Sequence, residues 1–252
     1  MKISVITVTY NSAATIVDTL QSVASQTHAD IEHLIIDGGS SDDTLALVAA
    51  HGAHVSRVVS ERDDGIYDAM NKGFALATGE LVGCLNSDDT FMGPDTLALV
   101  AKAAELQRAD VVFGDLIYVN PARKNPLVRY WRAGEFDLRK LRLGWMPPHP
   151  TLYIRRAVLD RIGCFDARLR IAGDYDFILR LFSSRPAFKV AYVPHVLVSM
   201  RVGGASQRSL KAMLRKSSED LQALRRHHVG GVVALVCKNL RKIPMFFAHP
   251  PT

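Results

Sequence analysis

The residues best suited to do chemistry form a short acidic run, Asn86-Ser87-Asp88-Asp89, which directly follows the apolar stretch 81–85. Two adjacent carboxylates repel each other, and this repulsion costs free energy unless a cation lies between them and a ligand. Mg²⁺ and Mn²⁺ prefer oxygen ligands and commonly bind through one or two protein carboxylates together with substrate phosphates. The alternative is that Asp88 and Asp89 merely begin the next helix, where acidic side chains favour the N-terminal dipole. The run alone leaves both interpretations open.

The elements that must position this run alternate regularly along the first half of the chain. Near-continuous apolar and β-branched runs predict buried strands, and the stretches between them predict helices. This alternation is typical of an α/β domain with a mostly parallel, Rossmann-like sheet flanked by helices. The predicted strands lie at about 3–9, 31–37, 55–59 and 81–85, and the predicted helices near 12–26, 42–50, 67–77 and 95–107.

Polar side chains follow the predicted strands at their carboxyl ends, which is where ligands bind in parallel α/β sheets. Thr9, Asp37 and Glu61 stand at three of these ends, and the acidic run stands at the fourth. Ser12, after the first strand, is expected to cap the first helix. The first half is therefore a candidate nucleotide-binding fold.

The second half of the chain differs in composition and predicted secondary structure. Prolines and basic residues dominate the stretch 121–150, which predicts loops rather than one long element. Beyond it we expect a strand at 151–154, helices near 157–162 and 175–183, and two strands near Val190 and Val198. From residue 207 an apolar helical stripe alternates with basic residues. The stripe consists of Leu210, Met213, Leu214, Leu221 and Leu224.

The net charge of +6 is unevenly distributed. Residues 1–122 carry 6 basic and 17 acidic side chains, whereas 123–170 carry 12 and 4 and 201–252 carry 10 and 2. A nucleic-acid binder needs a continuous basic footprint, so an acidic front half argues against nucleic acid as a partner. The basic second half predicts contact with some other anion.

Other sequence features bear on the compartment. Three widely spaced cysteines without a Cys-x-x-Cys pair indicate neither a disulfide framework nor a zinc knuckle. No export signal is recognisable at the start, and the apolar stretch 229–237 is about half the length of a spanning helix. We therefore expect a cytoplasmic protein.

Five short motifs, in this order, resemble those of family 2 inverting glycosyltransferases with the GT-A fold. The likeness extends over roughly residues 1–205 and is nearest to the bacterial branch that builds O-antigen, capsule and other surface polysaccharides. The motifs are TVTYN at 7–11, IDGGSSD at 36–42, DGIYDAMNKG at 64–73, NSDD at 86–89 and AGDYD at 172–176.

The resemblance implies a nucleotide pocket. Thr9 would line it, and Asp37 would hold the base or ribose. Many relatives carry two acids in the second motif, whereas here Gly38 follows Asp37, so this chain lacks the second acid that contributes to base selectivity. Asp68 and Asn71 lie three residues apart on one helical face and could reach the uracil or ribose.

The resemblance also implies the reaction chemistry. Asp88 would face the ribose, and Asp89 would coordinate Mg²⁺ or Mn²⁺ on the donor diphosphate. Asp174 matches the position of the base, which removes the acceptor proton during inversion. Gly173 before it permits close approach. The alternative for Asp174 is a helix N-cap.

Two further residues match less distinctive parts of the family pattern. His149 lies in a His-containing strand entry and could contact donor phosphates or acceptor. Arg201 begins the sequence RVGGAS, which resembles the family's closing loop, where a cation over the diphosphate would be useful. A lone arginine is more usually a solvated charge.

The expected organisation is a GT-A domain over 1–205, with a nucleotide-binding half (1–122) and an acceptor-side half (123–205), followed by a basic helical C-terminal extension over 206–252. The extension suits either an anionic membrane surface or packing against the catalytic domain or a second subunit. A homo-oligomer is left open.

The expected function is metal-dependent transfer of a sugar from a nucleotide-sugar, with UDP as the expected nucleotide, to a hydroxyl of a lipid-linked or growing surface glycan. A nucleotidyltransferase would use similar carboxylates, but no Gly-rich phosphate loop with its lysine is present. A catalytically inactive glycan-binding or scaffold protein is the other alternative. A dinucleotide-dependent oxidoreductase is disfavoured because no Gly-x-Gly-x-x-Gly follows the first strand.

Overall fold

The computed structural model describes residues 1–202 and 210–250, and the side chains of all of these except 210–212. Nine strands form one sheet within this part of the chain. The strands are β1 (Ile3–Thr9), β2 (Ile31–Asp37), β3 (Val55–Ser60), β4 (Leu81–Cys84), β5 (Thr90–Phe91), β6 (Val111–Val119), β7 (Leu127–Trp131), β8 (Tyr153–Arg155) and β9 (Val190–Arg201).

Helices cover this sheet and continue beyond it. They are α1 (Ile16–Ala24), α2 (Thr44–His51), α3 (Ile66–Leu76), α4 (Thr96–Leu106), α5 (Leu138–Arg142), α6 (Arg156–Ile162), α7 (Gly173–Ser183), α8 (Leu210–Arg226), α9 (Gly231–Leu240) and α10 (Lys242–Met245).

The sheet runs in the order β3-β2-β1-β4-β8-β6-β9-β5, with β7 beside β6. The four strands β3, β2, β1 and β4 are mutually parallel. Strand β8 is antiparallel to both of its neighbours, so the second half is mixed. The predicted α/β architecture, with a mostly parallel sheet flanked by helices, is confirmed.

Two local predictions were wrong. The first helix begins at Ile16 with Thr15 as its N-cap. The Ser12 amide instead donates to the Thr44 hydroxyl at the start of α2, and the Ser12 hydroxyl shares a hydrogen bond with the Ser87 hydroxyl. The two strands expected near Val190 and Val198 are one strand, β9, which pairs with β6 along its length. Register shifts at Asp115 interrupt that ladder, and these irregularities explain why the sequence pattern looks broken.

The C-terminal helices share a core with the rest of the chain. Ala223, Leu224, Val229 and Ala234 belong to the same buried cluster as Phe113, which lies in β6. The apolar stripe predicted on α8 therefore divides: Leu224 is buried, whereas Met213 and Leu214 are exposed. Leu210 has its side chain outside the described residues. The structure shows this segment packed against the rest of the chain, which is one of the alternatives expected for it.

No helix within the described ranges combines the length and the apolar character needed to span a membrane.

Candidate active site

Three polar residues form a row at the carboxyl edge of the parallel strands. Thr9 lies opposite Asp37 in the β1–β2 register, and Asp37 lies opposite Ser60 in the β2–β3 register. The Asp37 carboxylate is fully buried and accepts hydrogen bonds from the amides of Gly39 and Ser40 and from the Ser60 hydroxyl. These bonds shape the loop after β2. Asp37 thus builds the wall of the expected pocket, and a direct contact with base or ribose stays a prediction.

The acidic run follows β4 on the adjacent strand. Asp89 is fully buried, and its Oδ2 accepts a 3.1 Å hydrogen bond from the amide of Asn86. Burial, followed by the negative charge of Asp88, raises the pKa of Asp89 well above its usual value, and the charge and main chain of Arg201 oppose that rise. Asp88 is half-buried beside it. The pair is an electrostatically costly arrangement that a cation would relieve.

The run does not begin a helix, so that alternative is wrong. Asp89 leads into the short strand β5, and α4 begins only at Thr96 with Asp95 as its N-cap. Thr19 in α1 holds the run in place by donating a 2.8 Å hydrogen bond to the carbonyl of Asp89.

Three buried oxygen atoms at this edge lack a hydrogen-bond partner: Thr9 Oγ1, Asn86 Oδ1 and Asp89 Oδ1. Buried polar atoms normally find partners, so unpaired ones indicate an absent ligand, ion or water. Among the described residues no three His, Cys, Asp or Glu side chains cluster as a complete metal site. The donor set fits a hard cation that takes one or two protein carboxylates and completes its coordination with substrate phosphate.

Asp174 lies in the first turn of α7, with Ala172 as the N-cap, so the N-cap alternative for Asp174 is wrong. Its Oδ1 accepts a 2.8 Å hydrogen bond from the Tyr175 amide, and the Tyr67 hydroxyl lies 3.5 Å from the same oxygen. Gly173 is required here, because a Cβ at this position would lie 2.7 Å from the ring of Tyr67.

His149 lies at the start of a 3-10 turn and packs edge-on against Phe165. Burial lowers the pKa of His149, and the charge of Asp174 opposes this shift. The structure therefore brings His149 and Asp174 to one locality, although 25 residues separate them in sequence. Burial raises the pKa of Tyr118 in β6, Arg129 opposes this rise, and the charges of Asp89 and Asp174 add to it, so Tyr118 lies within electrostatic range of both carboxylates.

Asp68 and Asn71 both lie on α3, as predicted, but they face different partners. Asp68 accepts from the amide of Asp64 and lies 3.5 Å from the Lys72 ammonium. The Asn71 side chain bonds to both the amide and the carbonyl of Phe165, at 2.9 and 3.0 Å. In this geometry Asn71 holds the 165 loop, and its predicted nucleotide contact has no support from the structure.

Arg201 ends β9 and forms an ion pair with Asp18 of α1. Its guanidinium thus links two elements beside the acidic run. The glycines and serine that follow it in the predicted closing loop, residues 203–206, lie outside the described residues.

Sequence reasoning missed two sets of residues. Lys72 contacts Glu61, Asp63 and Asp68, and the hydrogen bond that its ammonium donates to Asp63 is the main cause of its raised pKa. The helix α8 also reaches the site, since Glu219 binds the main chain just ahead of Asp174. The KG ending of the third motif could have indicated Lys72, but no local signal indicated Glu219.

Comparison with known proteins agrees with this geometry. A family model described as "Glycosyl transferase family 2" matches residues 4–170. The PGL/p-HBAD biosynthesis glycosyltransferase of Mycobacterium tuberculosis (strain ATCC 25177 / H37Ra) is 36% identical over 200 residues, which cover 78% of this chain and 75% of the relative.

Two solved structures share the fold. S. aureus TarS 1-349 in complex with UDP-GlcNAc superposes with a TM-score of 0.71 at 23% identity, covering 91% of this chain and 66% of that one, so this chain spans just under two thirds of TarS 1-349. The Pyrobaculum calidifontis mannosyltransferase PcManGT, in complex with GDP-Man and Mn²⁺, gives 0.67 at 19% identity over 95% and 73%. With its parallel nucleotide-fold half, its acidic run at a strand end and a family match over most of its length, the chain belongs to glycosyl transferase family 2.

Proposed function

We propose that this glycosyltransferase moves a sugar from a UDP-sugar to a hydroxyl of a lipid-linked or growing surface glycan, with inversion at the anomeric carbon. The observation that carries the proposal is the fully buried Asp89 beside the half-buried Asp88, with the unpaired oxygens of Thr9, Asn86 and Asp89 at the same place. A nucleotide diphosphate with its cation supplies the groups that such oxygens lack.

For the donor, the row at the edge of β1, β2 and β3 provides the pocket wall. Asp37 fixes the loop after β2, and we propose that Thr9, Asp68 and Asp88 approach the nucleoside. The choice of uridine is supported by TarS, a protein of the same fold that was solved with UDP-GlcNAc.

We propose that Asp89 holds Mg²⁺ or Mn²⁺, and PcManGT, which shares the fold, was solved with Mn²⁺. When bound, the ion supplies Lewis-acid stabilisation of the leaving diphosphate. The protein's own contribution is to keep Asp89 buried and ionisable beside Asp88. Thr19 and Asn86 fix the run by hydrogen bonds, so that little reorganisation is needed when the donor arrives.

Asp174 is our proposed base. It stands at the N-terminal turn of α7, half-buried, with Tyr67 and His149 beside it. From there it can accept the proton of the acceptor hydroxyl as that oxygen attacks the sugar from the face opposite the diphosphate. Arg201 is proposed to approach the diphosphate once the donor is bound.

We propose a peripheral position at the inner face of the cytoplasmic membrane, where a lipid-linked acceptor is found. The supporting feature is the outer face of α9 and α10, which we call the C-terminal apolar surface. It combines exposed apolar side chains with basic ones, and the sequence has no Asp or Glu after Asp220. The surface consists of Val232, Val233, Val236, Leu240, Ile243, Phe246 and Phe247.

The proposal is tested by incubating the protein with a panel of nucleotide sugars, a divalent cation and membrane-extracted acceptor. We expect release of nucleoside diphosphate and a product of inverted configuration, with both abolished by chelation of the cation. Release of pyrophosphate would instead identify a nucleotidyltransferase. Full activity of Asp174→Asn would overturn the assignment of the base, and full activity of Asp89→Ala that of the metal ligand.

A further inference from the structure

The segment directly ahead of Asp174 is held by a carboxylate from α8. Glu219 Oε2 accepts hydrogen bonds from the amides of Ile171 and Ala172, both at 2.9 Å, and Oε1 accepts a longer one, 3.3 Å, from the amide of Arg170. Three consecutive main-chain amides thus converge on one buried side chain that lies 49 to 47 residues away in sequence.

The carboxylate is itself fixed and charged. Arg215, one helical turn earlier on α8, donates from Nε to Oε1 at 2.9 Å. Burial favours the neutral acid, but the hydrogen bonds from Ala172, Arg215 and Ile171 outweigh it and lower the pKa of Glu219. Hydrogen bonds to an ionised acceptor are stronger than neutral ones. Glu219 is therefore a firm anchor rather than an incidental surface contact.

The same stretch is also held by a residue of helix α3. The Tyr67 hydroxyl donates to the carbonyl of Ile171 at 2.7 Å. Two residues beyond Asp174, the buried Asp176 contacts His227 at 2.9 Å and Arg226 at 3.1 Å, and both of these end or follow α8. Helix α8 and the residue that follows it therefore bind the chain on both sides of Asp174.

We propose that Glu219 is a positioning residue for the reaction, which fixes the main chain at 170–172 so that the Asp174 carboxylate faces the acceptor hydroxyl. The inference rests on the proposed function, because it requires Asp174 to act as the base. It gives the C-terminal segment a part in catalysis, although residues 206–252 match none of the family motifs. A misplacement of about 1 Å in such a group can cost on the order of 100-fold in rate.

The decisive experiment compares wild type, Glu219→Gln, Asp174→Asn and the double variant, with Glu135→Gln as a matched control at an exposed glutamate. Glutamine keeps the size of the side chain but turns an NH₂ towards groups that are themselves donors. We expect Glu219→Gln to lower kcat about 10-fold while the donor KM changes less than about twofold. Hydrogen exchange at the amides of Ile171 and Ala172 should accelerate. Glu135→Gln should change none of these quantities.

The double variant separates positioning from general loss of structure. If Glu219 acts through Asp174, Glu219→Gln lowers the residual rate of Asp174→Asn by less than about twofold. The proposal for Glu219 is overturned if Glu219→Gln lowers the rate by the same factor in the wild-type and Asp174→Asn proteins, or if kcat of Glu219→Gln is unchanged. Either result leaves the proposed function intact as long as Asp174→Asn is itself inactive. A fully active Asp174→Asn overturns the assignment of the base and, with it, the proposal for Glu219. Should Glu219→Gln not fold, Arg215→Met removes only the anchor of Oε1 and should show the same division between kcat and KM at smaller size.

Discussion

The hydroxyl of Tyr67 donates a 2.7 Å hydrogen bond to the carbonyl of Ile171 and so joins helix α3 of the first half of the chain to the segment that carries Asp174. Tyr67 belongs to the third family motif and Ile171 directly precedes the fifth. Two motifs about a hundred residues apart thus meet in one contact. The ring of Tyr67 also packs where Gly173 leaves room for it.

Removal of that hydroxyl should weaken both stability and catalysis. Tyr67→Phe retains the ring and its packing, but leaves the carbonyl of Ile171 without this donor in a half-buried site. We expect unfolding to become easier by about 1 kcal/mol and kcat to fall about fivefold. Chemical denaturation and steady-state kinetics measure the two effects. A kcat equal to wild type would show that the junction does not position Asp174.

Substitution of Asp89 should raise stability and lower activity, whereas substitution of Tyr67 should lower both. Because burial and the charge of Asp88 raise its pKa, an ionised Asp89 is unfavourable in the metal-free protein. Asp89→Asn removes that cost and keeps the shape, so we expect the metal-free variant to gain about 1 kcal/mol of stability while losing at least about 100-fold in kcat.

Thermal unfolding with and without Mn²⁺ and UDP completes that test. A ligand that binds only the folded state raises the midpoint of unfolding. We expect such a rise in wild type and in the exposed-site control Asp43→Asn, and none in Asp89→Asn. The same metal-dependent rise in Asp89→Asn would place the cation on other residues.

Much of this site could be predicted from sequence because its groups are local to strand ends. Asp37 and Asp89 each follow a buried run of β-strand residues, and the period of the pattern fixed where those strands end. Glu219 could not be predicted in the same way. Helical periodicity says which residues share a face of α8, but not which main-chain amides that face will meet. For the same reason the amide of Asn71 was expected at the nucleotide and is found on Phe165.

His33 should make the fold sensitive to acid. It is fully buried, its ring contacts Thr7 and His54, and burial lowers its pKa from 6.5 to about 3. Between pH 6.5 and pH 3, therefore, His33 is protonated in the unfolded chain but stays neutral in the folded chain. The free energy of unfolding falls as the pH drops through this range. At pH 5 the loss from this group is about 2 kcal/mol.

Urea unfolding between pH 7 and pH 4.5 measures how steeply the free energy of unfolding depends on pH. His33→Gln should flatten it, although it should also lower stability at pH 7 through lost packing. His195→Gln, at an exposed histidine on β9, is the matched control. Equal slopes in wild type and His33→Gln would assign the acid sensitivity to other groups.

The C-terminal apolar surface should bind anionic bilayers. Helix α9 packs inward through Ala234 and Lys238, which lie one turn apart, so its outer face carries apolar residues that nothing in the described chain covers. Exposed Arg241 lies between α9 and α10, and exposed Arg225 lies in the last turn of α8, the preceding helix. Each basic residue near an anionic surface adds about 1 kcal/mol. We expect the protein to float with vesicles that contain anionic lipids of the cytoplasmic leaflet, and to float less in high salt.

The variant Phe247→Ser with Ile243→Ser tests whether the surface itself is responsible. Burying two large apolar side chains contributes about 3 kcal/mol, so partitioning onto vesicles should fall at least about 10-fold while transfer to a soluble acceptor is unchanged. Leu106→Ser, an equally exposed leucine at the end of α4, controls for the loss of apolar area elsewhere. Equal flotation of all three proteins would exclude this surface as the membrane contact. Loss of a dimer in sedimentation, confined to the double variant, would assign the surface to a second copy of the chain, because a bilayer contact leaves the mass of the free protein unchanged.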